Sequence, residues 1–133
     1  MQLSGRLYGT FWLSFFSCVL IPRWMGQAIG LPVHILLGVV ILVATITNNR
    51  HLATAPVPPR IKRISKVTMG FAVFQTVCGL ALGAVLHFIP DMPYIAPTLR
   101  GIHIVSALSI LTKSSSMATT YDMWVEKEFE EEV

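Results

Sequence analysis

The sequence predicts an all-α fold: an integral membrane four-helix bundle with both termini cytoplasmic. Three observations carry that expectation. Hydrophobic residues make up 53% of the 133 residues and charged residues only 13%, with a mean hydropathy of +0.64. A soluble domain carries roughly a quarter charged residues to cover its surface. The apolar residues gather into four nearly uncharged runs, and the ten basic and seven acidic residues gather into clusters between and after them. This balance excludes an ordinary water-soluble enzyme, a disordered chain and a nucleic-acid module. The pI near 9.1 reads as membrane topology, because the basic residues are clustered. Cys18 and Cys78 lie inside apolar stretches, so no disulfide framework is implied.

The first run covers about Leu7 to Ile21, the second Leu31 to Thr47 and the third Val67 to Ile89. The fourth covers Ile102 to Leu111 and continues through small residues to Thr120. Crossing the hydrocarbon takes about 20 largely apolar residues. The third run meets this best; the first two need their flanks. The fourth is interrupted by Lys113, whose long stem lets the ammonium reach the interface. Arg6 followed by an apolar stretch also has the shape of a signal peptide, but no small-residue cleavage site follows it.

Orientation follows from lysine and arginine. The connection Asn48–Lys66 holds Arg50, Arg60, Lys62, Arg63 and Lys66, whereas Pro22–Gly30 and Pro90–Gly101 hold only Arg23 and Arg100. The basic connection is therefore expected on the cytoplasmic side of a plasma membrane. Tyr8, Trp12, Trp24 and Tyr94 fall near the expected interfaces. Ala55-Pro56-Val57-Pro58-Pro59 is expected to be a stiff, non-helical link. Residues 1–120 form the bundle, and 121–133 form an acidic cytoplasmic tail containing Glu126, Glu128, Glu130, Glu131 and Glu132. That tail reads as a solvated helical extension, a frayed end or a docking segment.

The two halves repeat weakly as two similar helix hairpins. Ile21-Pro22 precedes His34 much as Ile89-Pro90 precedes His103. Hairpins of like orientation would be related by an axis along the membrane normal, with His34 and His103 at similar depth.

Histidines inside a span are costly and need partners. Of the four in the chain, His51 reads as an interface residue, while His34, His87 and His103 fall on the outer side. Three chemistries compete: helix-bridging histidines, a zinc or copper site, and a haem iron held by His34 and His103 between facing helices. A zinc or copper site usually takes further carboxylate or thiolate ligands, and Asp91 is the one outer carboxylate. For haem, Gly38 lies four residues after His34, and Ser106 and Ala107 lie one turn after His103, leaving room for a flat macrocycle. Gly79 and Gly83 form a small-xxx-small pair, which also reads as plain helix packing. Arg23, Arg100 and His87 are candidates to meet propionates.

The segment Phe74-Gln75-Thr76-Val77-Cys78-Gly79-Leu80-Ala81-Leu82-Gly83, a proline-containing loop, and Gly101-Ile102-His103-Ile104-Val105-Ser106-Ala107 together resemble one four-helix half of the haem A synthase family. The resemblance implies a haem near the outer face, with His34 and His103 at the two ligand positions. Members usually join two such halves, so a single half implies a homodimer or a one-haem protein. The family's glutamate three residues before the histidine is Leu31 here, Ile35 replaces the arginine that commonly follows that histidine, and Pro22–Gly30 lacks a cysteine pair. No carboxylate then serves as acid or base in the site. The expectation is a b-type, bis-histidine haem protein for electron transfer or for a respiratory or oxidase complex. A minimal haem A synthase homodimer and a cofactor-free accessory subunit are the alternatives. The expected partners are the lipid bilayer and a second copy or a larger membrane complex, and not nucleic acid.

Overall fold

A computed structural model describes residues 3–20, 26–89 and 93–131. Four helices account for nearly all of them, and no strand occurs among the described residues. Helix α1 spans Leu3–Phe15 and continues as a π-helical turn over Phe16–Leu20; α2 spans Gly26–Thr54, α3 Pro59–Phe88 and α4 Ile95–Glu131. Helix α1 packs on α2, α2 on α3, α3 on α4, and α4 back on α1. Among the described residues, the diagonal pairs α1/α3 and α2/α4 bring no Cα atoms within 8 Å. The chain thus closes a four-helix ring around a central axis, and α2 and α4 face each other across it.

Prolines set several helix boundaries. Pro59 opens α3, where its missing N–H costs nothing. The carbonyl of Pro58 accepts from the N–H of Ile61 at 3.0 Å and of Lys62 at 3.4 Å. The expected non-helical link is therefore shorter by one residue, since Pro59 belongs to α3. At the other end, Ile89 leaves the helix with φ −139°, as a residue preceding proline does. Pro32 lies inside α2, where it removes one backbone hydrogen bond near the start of the helix.

The helices run past the apolar limits read from hydropathy. Helix α2 continues through Asn48, Asn49, Arg50 and His51, and α3 starts eight residues before Val67. Helix α4 starts at Ile95 and passes position 120 without a break. Tyr121 and Trp124 pack against a core cluster, and Asp122 Oδ1 accepts from Ser4 Oγ at 2.7 Å. The first turns of the acidic segment are thereby fastened to α1. Three helices are long and apolar enough to cross a membrane, over Ile29–Thr54, Pro59–Phe88 and Ile95–Glu128. The sequence suggested four spans; the described part of the first is α1 and its π-turn, up to Leu20.

The core is layered. At the end carrying the basic connection, Leu7, Leu52, Val57, Ile61, Met117 and Ala118 form an apolar plug. A second apolar cluster joins Ile41, Ala72 and Ile110. Thr10, Thr45, Asn48, Ser65, Thr68 and Ser114 are also buried. The Asn48 Nδ2 donates to Thr10 Oγ1 at 2.9 Å, and Thr10 Oγ1 donates to the Arg6 carbonyl at 3.0 Å. The outside is apolar instead: Leu31, Ile35, Leu36, Val39 and Val43 are all exposed along α2. Such a surface suits hydrocarbon, and interior side-chain hydrogen bonds then join helices that the hydrophobic effect does not press together.

Replacing Asn48 with alanine removes the side-chain bond between α1 and α2. The expected loss is about 1 kcal/mol, within the range for interhelical bonds in membranes. Reversible unfolding of the reconstituted protein measures it; an unchanged midpoint would show that this bond does not join the two helices.

Candidate functional site

Gly26 to His34 and Ile95 to His103 are each eight residues, so both histidines stand about 12 Å into their helices at 1.5 Å per residue. They come from the diagonal helices α2 and α4, and their rings meet at the bundle axis with centroids 6.0 Å apart and planes at 61°. The sequence paired these two residues, and the fold brings them together.

Each ring has one nitrogen held by a neighbouring helix. Ser17 Oγ, in the π-turn after α1, lies 3.3 Å from His34 Nδ1. Gln75 Nε2, on α3, lies 3.1 Å from His103 Nε2. The Gln75 amide is itself fixed, because Ser106 Oγ donates to its Oε1. With that oxygen engaged, the amide nitrogen faces the imidazole and donates to it, which places the His103 proton on Nδ1. His103 Nδ1 is buried and has no partner. His34 Nε2 likewise has no hydrogen bond among the described residues. All four helices thus contribute to one polar belt, through Ser17, His34, Gln75, His103 and Ser106.

Gly79 completes it. One turn after Gln75, it lies against the His103 ring: a Cβ at this position would stand 3.1 Å from Cε1 and 3.7 Å from Nδ1. Its smallness serves the close approach of an imidazole. Beside Gly38 and Gly83, a Cβ would meet nothing within 4 Å. Gln75, Gly79 and Ser17 were not singled out as histidine partners, although the i, i+4 spacing of Gln75 and Gly79 places them on one face.

The remaining expected site residues stay apart from the belt. Arg100 is exposed, one turn before His103 on α4. His87 is exposed near the end of α3 and packs edge-on against Phe88, with ring centroids 4.7 Å apart. On an ideal helix it lies about 120° round from Gln75, which is why it does not share that face. Arg23, Trp24 and Asp91 lie outside the described residues.

The residues can be tested against a metal centre. An imidazole nitrogen binds a metal at about 2 Å and the ring centre lies about 1 Å behind it, so two rings on one metal stand roughly 6 Å apart. The observed 6.0 Å fits that spacing. A ligating histidine normally donates its second N–H to an acceptor. Ser17 Oγ can accept from His34 Nδ1, whereas the Gln75 amide nitrogen is itself a donor, which leaves the proton of His103 on its free Nδ1; that proton must leave before this nitrogen can bind a metal. Among the described residues, no group of three or more His, Cys, Asp or Glu side chains is placed to hold an ion. The ring spacing alone is compatible with two histidine ligands to one metal, and among the described residues no third such ligand joins them.

Fold and site together define an all-helical four-helix protein with apolar, membrane-length helices and a paired-histidine belt. Compared with known proteins, the chain matches no family model, no curated protein and no solved structure.

Substituting Gly79 with alanine is expected to push the His103 ring off Gln75 and to cost about 1–2 kcal/mol, as overpacking does. Gly83→Ala, one turn on in open space, is expected to be near neutral. Comparing the thermal midpoints of the two variants checks this, and equal effects would contradict the contact.

Proposed function

We propose that the protein is a membrane haem protein that holds one b-type haem between His34 and His103 and serves electron transfer, alone or within a respiratory or oxidase complex. The single observation that carries this reading is the 6.0 Å ring pair on diagonal helices, each ring with one nitrogen held and one left without a partner. The resemblance of Gln75–Gly83 and His103 to a haem A synthase half points the same way. A bis-imidazole haem supplies a one-electron couple with no open iron position. The chain's own residues do the rest. Ser17 and Gln75 orient the two rings, Ser106 orients Gln75, and Gly79 admits the His103 ring against α3.

The positive-inside rule supports a cytoplasmic position, at a plasma membrane, for the end that carries the basic connection. The histidine belt then lies toward the outer leaflet. A second reading, a cofactor-free accessory subunit, is favoured by one observation: both imidazoles already have a helix-bridging partner.

A reduced-minus-oxidised visible spectrum of the purified protein separates the two. A b-type α-band is expected, lost in both His34→Ala and His103→Ala while circular dichroism still shows a helical protein. A colourless, fully folded protein made with ample haem supply would reject the haem reading and leave the accessory one.

A further inference from the structure

The first 90 residues contain no aspartate or glutamate, yet they hold five of the basic residues in the stretch from Arg50 to Lys66. Lys62 Nζ is engaged by the Ala53 carbonyl at 3.1 Å. Arg60, Arg63 and Lys66 are exposed. Their spacing puts them on one face of α3, opposite the buried face of Ile61, Ser65, Thr68 and Ala72. Along the helix they form a ladder that rises about 9 Å, at 1.5 Å per residue, from the start of α3 into the apolar part of the bundle.

The ladder does not end in a plain surface. The next residues on that face, Val67 and Gly70, with Phe71 and Phe74, line a recess of about 400 Å³. A second open depression of about 350 Å³ shares Phe71 and Phe74 and lies against Ile102, Val105, Ser106 and Ser109 of α4. Gly70 is exposed, and a Cβ there would meet nothing within 4 Å. Along the same face the cationic ladder is therefore followed by a shallow, open apolar depression.

We propose that this face of α3 binds an acidic phospholipid, with the headgroup phosphate on Arg63 and Lys66, assisted by Arg60, and an acyl chain along Val67, Gly70 and Phe74. Charge complementarity selects the headgroup: Arg60, Arg63 and Lys66 are exposed cations, and the carboxylates at this end of the bundle belong to α4, from Asp122 onward. Each lysine or arginine near an anionic surface adds its own attraction, and the groove supplies a place for a chain that a soluble anion does not need. The cations and Gly70 lie apart from the histidine belt, which the second depression touches only at Ser106, and the proposal does not depend on haem.

The test is native mass spectrometry of the full chain released from micelles containing equal phosphatidylglycerol and phosphatidylcholine with the same acyl chains. The wild type is expected to retain phosphatidylglycerol in preference. The double variant Arg63→Gln, Lys66→Gln is expected to lose that preference about tenfold or more. Gly70→Leu, whose Cβ meets no neighbour within 4 Å, covers the depression beside Val67, Phe71 and Phe74 and is expected to lower retention of phosphatidylglycerol as well; circular dichroism confirms that both variants are folded. Equal retention of the two lipids by the wild type, or phosphatidylglycerol retention unchanged in both variants, would overturn the proposal.

Discussion

The Gln75 amide is the joint on which the interior depends. A histidine ring in an apolar surround must find hydrogen-bond partners or bear the cost of their absence. Gln75 meets His103 with its nitrogen and Ser106 with its oxygen, so one side chain satisfies groups on two turns of α4. That arrangement requires α3 and α4 to come close, and Gly79 permits it by leaving no side chain beneath the ring. With His103 fixed from α3, its ring reaches the axis and meets His34 from the opposite corner. Ser17 then holds His34 from α1. The belt is therefore a sequence of dependencies, in which amide fixes ring, ring meets ring, and ring meets hydroxyl.

Lower in the bundle the same rule operates with smaller groups. Thr10, Ser14, Thr45, Asn48 and Thr68 are buried, and most of their hydroxyls return to a carbonyl one turn back, as Ser14 does to Thr10 at 2.8 Å. Asn48 has a longer reach and crosses to α1. Ser65 and Ser114 have no partner for their hydroxyls, but their small size lets α3 and α4 approach. Apolar clusters on both sides of this layer, at Leu7–Ile61–Met117 and at Ile41–Ala72–Ile110, supply the packing. The result is a protein with many polar groups inside and an apolar outside, the pattern expected where the solvent is hydrocarbon.

This inversion explains what the sequence revealed and what it hid. Hydropathy located the helices because the outer surface is apolar. It misplaced their ends because a run of apolar residues reports the solvent and not the backbone. Asn48 to His51 are polar yet helical, and Tyr121 and Trp124 hold the acidic segment on the bundle although its composition suggested a separate tail. His34 and His103 stood out because an imidazole in a span has no cheap explanation. Their partners did not, since a glutamine or serine in a span has many uses, and only a three-dimensional neighbour decides among them. Gly79 and Gly83 read as an equivalent pair, but only Gly79 touches the ring. His87 and Arg100 were grouped with the site because polar residues are scarce here, and scarcity says nothing about which face a residue occupies.

Helix α3 shows how two such faces coexist on one element. Its buried stripe runs through Ile61, Ser65, Thr68, Ala72, Gln75 and Gly79, and its exposed stripe through Arg60, Arg63, Val67, Gly70 and Phe74. Gly70 and Gly79 are nine residues apart, which on an ideal helix is about 180°. One glycine therefore opens the inner face, where an imidazole comes against the helix, and the other opens the outer face, where the groove begins. A β-carbon would be felt at once at Gly79, which is 3.1 Å from a ring atom, and would meet no neighbour at Gly70. Glycine in a helix weakens it by roughly 0.5–1 kcal/mol relative to alanine. At Gly79 that cost is offset inside the protein, by the ring it admits. At Gly70 no neighbouring atom of the chain comes that close, so the same residue type serves a close approach on one face and leaves open space on the other.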